Sequence, residues 1–303
     1  MDELLTSILV QDYRGVFEVC VIEDGSVLKS NDILDKFKKE LTIQYFDTEN
    51  TGPGASRNFG MKQAKGNYFI ILDSDVILPK NYLSIIDKQL ELNFTDAFGG
   101  PDAAHPNFTP LQKAINYSMT SFLTTGGIRG KKNGVGTFQP RSFNMGLSKI
   151  AFEKTKGFSD MRTGEDIDLT FRLWEEGFKT QLIDAAFVYH KRRNSIASFF
   201  KQTFEFGTAR PILNKKYPQS AKLTYWFPSL FIIGFDIALL SLILGYHRPI
   251  LLYFFYFSLI FVDSGFRNYF NLKVVFLSIF TSLTQFMGYG LGFLESQLFR
   301  NKK

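Results

Sequence analysis

The sequence predicts an α/β domain, strands and helices alternating, followed by an all-α apolar region. Two observations carry this. Between Phe17 and Leu92, short runs of β-branched and aromatic residues alternate with helix-period segments, punctuated by Gly, Pro, Asn and Asp. From Leu223 to Leu294 the chain is almost wholly apolar and aromatic, whereas residues 1 to about 220 mix charged and apolar residues as a water-soluble domain does. The 303 residues leave room for one good-sized domain and an accessory region.

The elements follow in order. Phe17 to Asp24, FEVCVIED, reads as a strand. Cys20, the sole cysteine, sits within it as a small buried hydrophobe, so an internal disulfide is excluded. Asn31 to Glu40 has the spacing of an amphipathic helix capped by Asn31 or Ser30. LTIQYFDT is the next strand. Gly54 to Gly66 reads as a helix opened by glycines and closed by Gly66. NYFIILD is a third strand, and Pro79 starts a further helix through KNYLSIIDKQLEL. Strands alternating with helices in this way imply a parallel sheet with right-handed crossovers, in which ligands bind beyond the C-terminal strand ends. Lys131 to Arg141, polar and glycine-rich, reads as a mobile loop of the kind that forms lids. Gly164 to Gly177 is a helix with acids in its first turn and Leu169, Leu173 and Trp174 on one side.

Three apolar spans close the chain. Trp226 to Tyr246 is long enough to cross a bilayer, Pro249 to Phe266 is shorter and carries Asp263, and Val274 to Leu294 is long enough but rich in glycine. Tyr225, Trp226 and Tyr246 suit interfacial positions. A large buried helical domain is the alternative, but such a domain needs polar faces and these spans show few. Basic NKKYPQSAK before the first span favours a cytoplasmic N-terminal domain. Three full crossings would then leave the RNKK tail outside, against the positive-inside tendency, so one span is expected to be re-entrant or interfacial. The N-terminal MDELLTSILVQ has neither a basic region nor a long apolar core and is not a secretory signal. The net charge of +6 is modest. Its clusters at Lys191 to Arg193, at Lys215 and Lys216 and at the C-terminus fit an anionic membrane surface or bound phosphate better than nucleic acid.

The chemistry-bearing residues concentrate at a few points. Glu23 and Asp24 close one strand; Asp73 and Asp75 close another, with only Ser74 between them. In an extended chain Asp73 and Asp75 point the same way, and two aligned carboxylates suit a hard divalent cation, Mg²⁺ or Mn²⁺, that could hold a diphosphate. A solvated turn with a helix-capping aspartate is the alternative, and Asp-x-Asp is common enough that the pair taken alone favours it. Asp166 opens the helix at Gly164, where free N–H groups favour an ionised carboxylate able to act as a general base; plain complementarity to the helix dipole is the other reading. Asp168 and Arg172, four apart, are placed for a helix ion pair. His190 could ligate a metal or be structural, and the following Lys191, Arg192 and Arg193 could meet phosphate or water.

Taken in order, VIEDGS, GPGASRNFG, ILDSDVILP, FNMGLSK, GEDIDLTFRL and VYHKRRNS resemble the inverting family 2 of nucleotide-sugar glycosyltransferases over about Leu4 to Arg210. FFKQTFEFGTAR and GYGLGFLES are similar to members with C-terminal membrane helices that build bacterial surface polysaccharides. The resemblance implies the GT-A fold, a Rossmann-like mixed sheet flanked by helices, over residues 1–222, with a membrane region of about three helices over 223–303. It implies that Glu23 and Asp24 contact the nucleoside, with Arg57, Asn58 and Asp73 on the nucleotide side. It implies that Asp75 binds the metal with His190 completing the site, that Asp166 is the catalytic base, and that Asn144, Glu165, Arg192 and Arg193 lie in the diphosphate or acceptor region. The implied reaction moves one sugar, with inversion, from a nucleoside-diphosphate sugar to a hydroxyl of a lipid-linked or cell-surface glycan. The implied setting is the inner (plasma) membrane, multi-pass, with the catalytic domain cytoplasmic.

Two departures from the family pattern stand out. The family's opening strand is missing before LLTSILVQDY, which starts at Leu4, and the Gln-x-x-Arg-Trp motif of processive members has no match at Gln202 to Glu205. Two other readings therefore stay open: a polyprenyl-phosphate sugar synthase, and a non-catalytic membrane subunit with a degenerate donor site.

Overall fold

The computed structural model describes residues 1–126 and 138–300. In chain order its elements are α1 (Asp2–Leu9), β1 (Val19–Asp24), α2 (Asn31–Leu34), β2 (Ile43–Thr48), α3 (Pro53–Gln63), β3 (Tyr68–Leu72) and β4 (Val76–Ile77). There follow α4 (Tyr82–Leu92), β5 (Ala97–Gly99), β6 (Asp102–Ala103), α5 (Pro110–Thr120), α6 (Phe122–Thr125), β7 (Asn144–Ser148) and α7 (Lys149–Thr155). The last are α8 (Glu165–Glu175), β8 (Thr180–Leu182), β9 (Val188–His190), α9 (Ile196–Lys216), α10 (Phe227–Ile243), α11 (Arg248–Arg267) and α12 (Leu272–Glu295). The described residues form two compact units: residues 1–105 with 138–191, and residues 106–126 with 192–300. The change in hydropathy at residue 222 does not coincide with this division, because α5 and α9 cluster with the apolar helices.

In the first unit, β1 and β2 pair in parallel with Val19 opposite Ile43 and Asp24 opposite Thr48, α3 crossing from β2 toward β3. The expectation of a parallel sheet fails beyond that point. β3 pairs antiparallel with β7, Leu72 opposite Asn144, and β7 in turn pairs antiparallel with β5, which runs parallel to β8. The sheet is mixed, as the GT-A resemblance implies. The direction of β7 follows from the route of the chain between α6 and β7, which its own residue pattern does not encode; Gly146 in β7 lets the strand pass the Phe98 ring, which a Cβ there would meet at 2.0 Å. The core on one side gathers Leu5, Leu34, Tyr82, Ile86 and Val188; on the other it gathers Phe69, Met145, Leu147, Leu169 and Leu173.

Several sequence boundaries shift. The Asn31–Glu40 segment is α-helical only through Leu34 and continues as turns, with Leu34, Phe37 and Leu41 carrying its packing. α3 ends at Gln63, before Gly66, because Ala64 is already extended. α4 begins at Tyr82, three residues after Pro79. Cys20 is half-buried rather than buried, on a strand paired only with β2. Most of the loop expected over Lys131 to Arg141 lies outside the described residues, as does the end of the RNKK tail.

In the second unit α9 lies along α12, and α5 and α10 also pack on α12. Contact between α9 and α12 is backbone-close: a Cβ on Gly292 would sit 2.2 Å from the Phe204 carbonyl oxygen, and one on Gly207 would sit 2.2 Å from that of Tyr289. Helices approach this closely only where side chains are absent.

Candidate active site

The acidic pair after β3 does not sit on an extended strand. β3 ends at Leu72, and Asp73 to Val76 form a turn in which the Val76 N–H donates to the Asp73 carbonyl at 3.3 Å. The alternation argument is therefore replaced by a turn that brings both carboxylates round. β4 then pairs with β9, placing His190 opposite Val76, and the Lys191 N–H donates to the Asp75 carbonyl at 3.2 Å. One ligand atom each from Asp73, Asp75 and His190 falls within 4.8 Å of the others. His190 Nε2 stands 3.2 Å from Asp75 Oδ1, and its ring stacks on Phe143 at 4.7 Å between centroids. Its Nδ1 is buried with no hydrogen-bond partner. Two carboxylate oxygens and an imidazole nitrogen this close together fit a divalent cation, and the imidazole suits Mn²⁺ better than Mg²⁺.

Arg57, on α3, ties this turn to α8. Its Nη2 donates to Asp73 Oδ1 and its Nη1 to Glu165 Oε1, both at 2.8 Å, while the guanidinium lies over the Phe158 ring at 5.5 Å. Arg57 has no acidic neighbour within one helical turn in the sequence, so its half-buried charge is met only by residues distant in the chain. The sequence carries one sign of this bridge, a cation on a helix without an acidic partner nearby in the chain.

Gly164 turns the chain into α8 with φ of +85°, a conformation that suits glycine. Glu165 and Asp166 follow directly. Burial pushes the Glu165 carboxyl up, the adjacent Asp166 charge adds to this, and Arg57 opposes it. Ser142 Oγ also donates to Glu165, at 3.3 Å. Asp166 Oδ1 accepts from the Ile167 N–H at 2.8 Å, while Oδ2 is 3.5 Å from the Ser142 N–H and 3.7 Å from Arg141 Nη1, loose contacts that leave Oδ2 the less committed of its two oxygens. Asp168, fully buried, pairs with Arg172 at 3.0 Å. Arg172 also donates to the carbonyls of Thr155 and Gly157, pinning α8 to the end of α7.

Glu23 and Asp24 end β1 but hold their own loop. Ser30 N–H donates to Glu23 Oε2 at 3.0 Å, and the N–H groups of Thr51 and Gly52 donate to Asp24 at 2.7 and 3.0 Å. Burial acts to raise Asp24, but the Thr51 N–H, the Ser56 hydroxyl and the Gly52 N–H outweigh it and hold the carboxyl below its ordinary range. Glu23 is lowered in the same way, burial opposed by hydrogen bonds from Ser26 and Ser30. Two clefts, of about 150 and about 310 Å³, border the start of α3 at Thr51 and Ala55, next to Asp24.

Three other expected residues, Asn58, Asn144 and Arg192, have partners of their own. Both ends of the Asn58 amide are taken by the backbone of Phe158, each at 2.8 Å. Asn144 is fully buried, accepting from the Tyr82 hydroxyl and donating to the Ala186 carbonyl, so it braces the sheet rather than meeting a diphosphate. Arg192 is buried in the second unit against Asn116 Oδ1 at 2.8 Å, and Arg193 is exposed.

The glycosyl transferase family 2 model matches residues 1–154. An uncharacterized glycosyltransferase of Rickettsia felis is 38% identical over 91 residues, 30% of this chain but only 15% of the relative's length. Glycosyltransferase GlyG of Streptococcus pneumoniae is 26% identical over 221 residues, covering 70% of this chain and 72% of that one. The mannosyltransferase PcManGT from Pyrobaculum calidifontis, solved with GDP-Man and Mn²⁺, aligns with 100% of this chain and 84% of its own at a TM-score of 0.57 and 14% identity, a likeness of fold.

Proposed function

The chain belongs to glycosyl transferase family 2, and on that premise we propose that it transfers one sugar, with inversion, from a nucleoside-diphosphate sugar to a hydroxyl of a lipid-linked or cell-surface glycan. The observation that carries this reading is the convergence of Asp73, Asp75 and His190 beside an Arg57 bridge to the α8 acids. Asp166 accepts the proton of the acceptor hydroxyl. The freed oxygen forms a bond to the anomeric carbon as the bond from that carbon to the diphosphate oxygen breaks on the opposite face. The leaving group departs with the electron pair, as the nucleoside diphosphate. Asp75 and His190, with Asp73, would hold a divalent ion, Mn²⁺ or Mg²⁺, which when bound neutralises charge on the diphosphate. Arg57 holds Asp73 and Glu165 in place, and the clefts beside Asp24 suit the nucleoside. A single transfer per acceptor follows from the unmatched Gln-x-x-Arg-Trp motif.

Three helices are long and apolar enough to cross a membrane: Leu223–Ile243, Arg248–Arg267 and Leu272–Phe299. We read them as the anchor of a multi-pass protein of the plasma (inner) membrane with its catalytic residues on the cytoplasmic side. Lys215, Lys216 and Lys222, just ahead of the first of them, support that orientation. The test is release of nucleoside diphosphate from a panel of sugar nucleotides by the full chain in detergent, with and without Mn²⁺. Metal-dependent release that is lost in Asp75→Asn is expected; full activity in excess chelator overturns the metal assignment.

A further inference from the structure

We propose that only α10 and α11 cross the bilayer, as a hairpin, and that α12 lies in the membrane surface across the base of that hairpin, its apolar stripe on the lipid. This rests on the membrane reading above and assigns the third span a different role from the other two.

Phe231 packs on Tyr256 and Phe257, and Phe235 on Tyr253, so α10 and α11 are antiparallel, and Pro228 and Ser264 lie toward the same end. α12 touches the hairpin at that end. Ser264 donates to Ser278 at 2.8 Å and Phe261 packs on Phe276; Ser229 donates to the Gly290 carbonyl at 3.0 Å and Phe231 packs on Phe286. From Ser278 to Gly290 the helix advances roughly 18 Å at 1.5 Å per residue. Its partners over that stretch move by little more than one turn along the hairpin. A helix crossing beside the hairpin would track its whole length. The far half of the hairpin instead stays bare, with Leu240, Ile243, Leu252 and Phe254 each more than half exposed.

Independent support comes from α9. Gly288 faces Thr203 and the Phe200 carbonyl, and Gly292 faces that of Phe204. The same turns of α9 carry Lys201 and Glu205 on the surface. Placing this half of α12 in hydrocarbon would place those two charges there too, where ionised side chains are strongly disfavoured. At the interface they meet water. Meanwhile Phe276, Phe280, Met287 and Leu291 are exposed on one face at spacings of four, seven and four residues, a narrow apolar stripe along the helix. An interfacial helix wets that face with lipid along its whole length and covers the rest with protein. The chain after α12 then emerges on the same side as Lys222 and Lys273, and the segment around Tyr246 and Arg248 lies on the other.

The test uses the full chain with Cys20→Ser as background, in right-side-out and inverted vesicles, with a membrane-impermeant maleimide. Lys222→Cys and Leu298→Cys should label from one side and Tyr246→Cys from the other. Labelling of Leu298→Cys from the same side as Tyr246→Cys overturns the inference. Nitroxides attached at Phe276→Cys, Phe280→Cys, Met287→Cys and Leu291→Cys give a second measurement through collision with oxygen and with a water-soluble nickel chelate. A surface helix keeps all four within about 5 Å of one depth, whereas a crossing helix separates the first from the last by about 22 Å. Loss of the chain from vesicles on a carbonate wash would instead overturn the membrane reading, and this inference with it.

Discussion

Asp166→Asn and Asp168→Asn remove the same charge from the same turn of α8 and should fail in different ways. Asp166 Oδ2 is held loosely, at 3.5 Å from the Ser142 N–H and 3.7 Å from Arg141; an asparagine occupies the same volume, and its amide oxygen can keep the 2.8 Å bond that Oδ1 accepts from the Ile167 N–H. Its loss should cost less than about 1 kcal/mol of stability. If it accepts the acceptor's proton, turnover should fall by about 10²–10⁴, some 2.7–5.5 kcal/mol in the barrier, with donor affinity nearly unchanged. Asp168 is fully buried against Arg172 at 3.0 Å. Removing one partner of a buried pair costs about 3–5 kcal/mol, and Arg172 keeps the carbonyls of Thr155 and Gly157, so about 3 kcal/mol is expected here. At about 2–4 °C per kcal/mol that is a fall of roughly 6–12 °C in Tm. Initial rates at saturating donor and acceptor, donor Kd by titration and thermal unfolding separate the two variants. Equal and small losses of turnover would refute the catalytic assignment. A large loss of turnover at Asp168 with an unchanged Tm would move the base to that carboxylate.

Further outcomes follow from the same geometry. Asp75→Asn should weaken Mn²⁺ binding, read by calorimetry, at least tenfold with the fold intact; His190→Ala should do the same by removing the nitrogen donor. Arg57→Lys cannot span Asp73 and Glu165 with one ammonium and should lose about 1–2 kcal/mol in thermal unfolding. Asp24→Asn should be destabilising at neutral pH. The folded-state pKa of Asp24 is depressed, so its stabilisation is present above the ordinary aspartate value near 3.9 and vanishes as pH falls through the lower folded value. Tm curves of variant and wild type should therefore converge on acidification, and a gap that persists at the lowest pH would contradict this. Gly292→Leu, whose Cβ alone would meet the Phe204 carbonyl at 2.2 Å, should separate α9 from α12 and lower detergent-phase stability by more than about 2 kcal/mol. A chain ended at Lys216 should aggregate rather than behave as a soluble enzyme, because it bares the face of α9 that α12 covers; a monodisperse product would count against that packing.

The sequence alone determined the α/β class, the apolar C-terminal region and the ordered motifs that carried the family resemblance. These properties are written in local periodicity and composition: alternation in FEVCVIED and NYFIILD, acids opening GEDIDLTFRL, and uninterrupted apolar runs after Lys222. It also placed the Asp168–Arg172 pair, since four residues on a helix face fix that distance without further help. The tertiary structure decided what depends on residues distant in the chain. β7 meets β3 antiparallel because a strand's partner and direction follow from the route of the chain, not from its own pattern. Asp73 and Asp75 converge through a turn, His190 arrives by the β4–β9 register, and Arg57 finds its carboxylates 16 and 108 residues away. Asn58 and Asn144 carry amides that look available in a motif, yet burial commits them to backbone and tyrosine partners. In the same way, the apolar length of α12 states only that it tolerates lipid. Its crossing of the hairpin base, and the charged turns of α9 beside its glycines, decide how much lipid it meets.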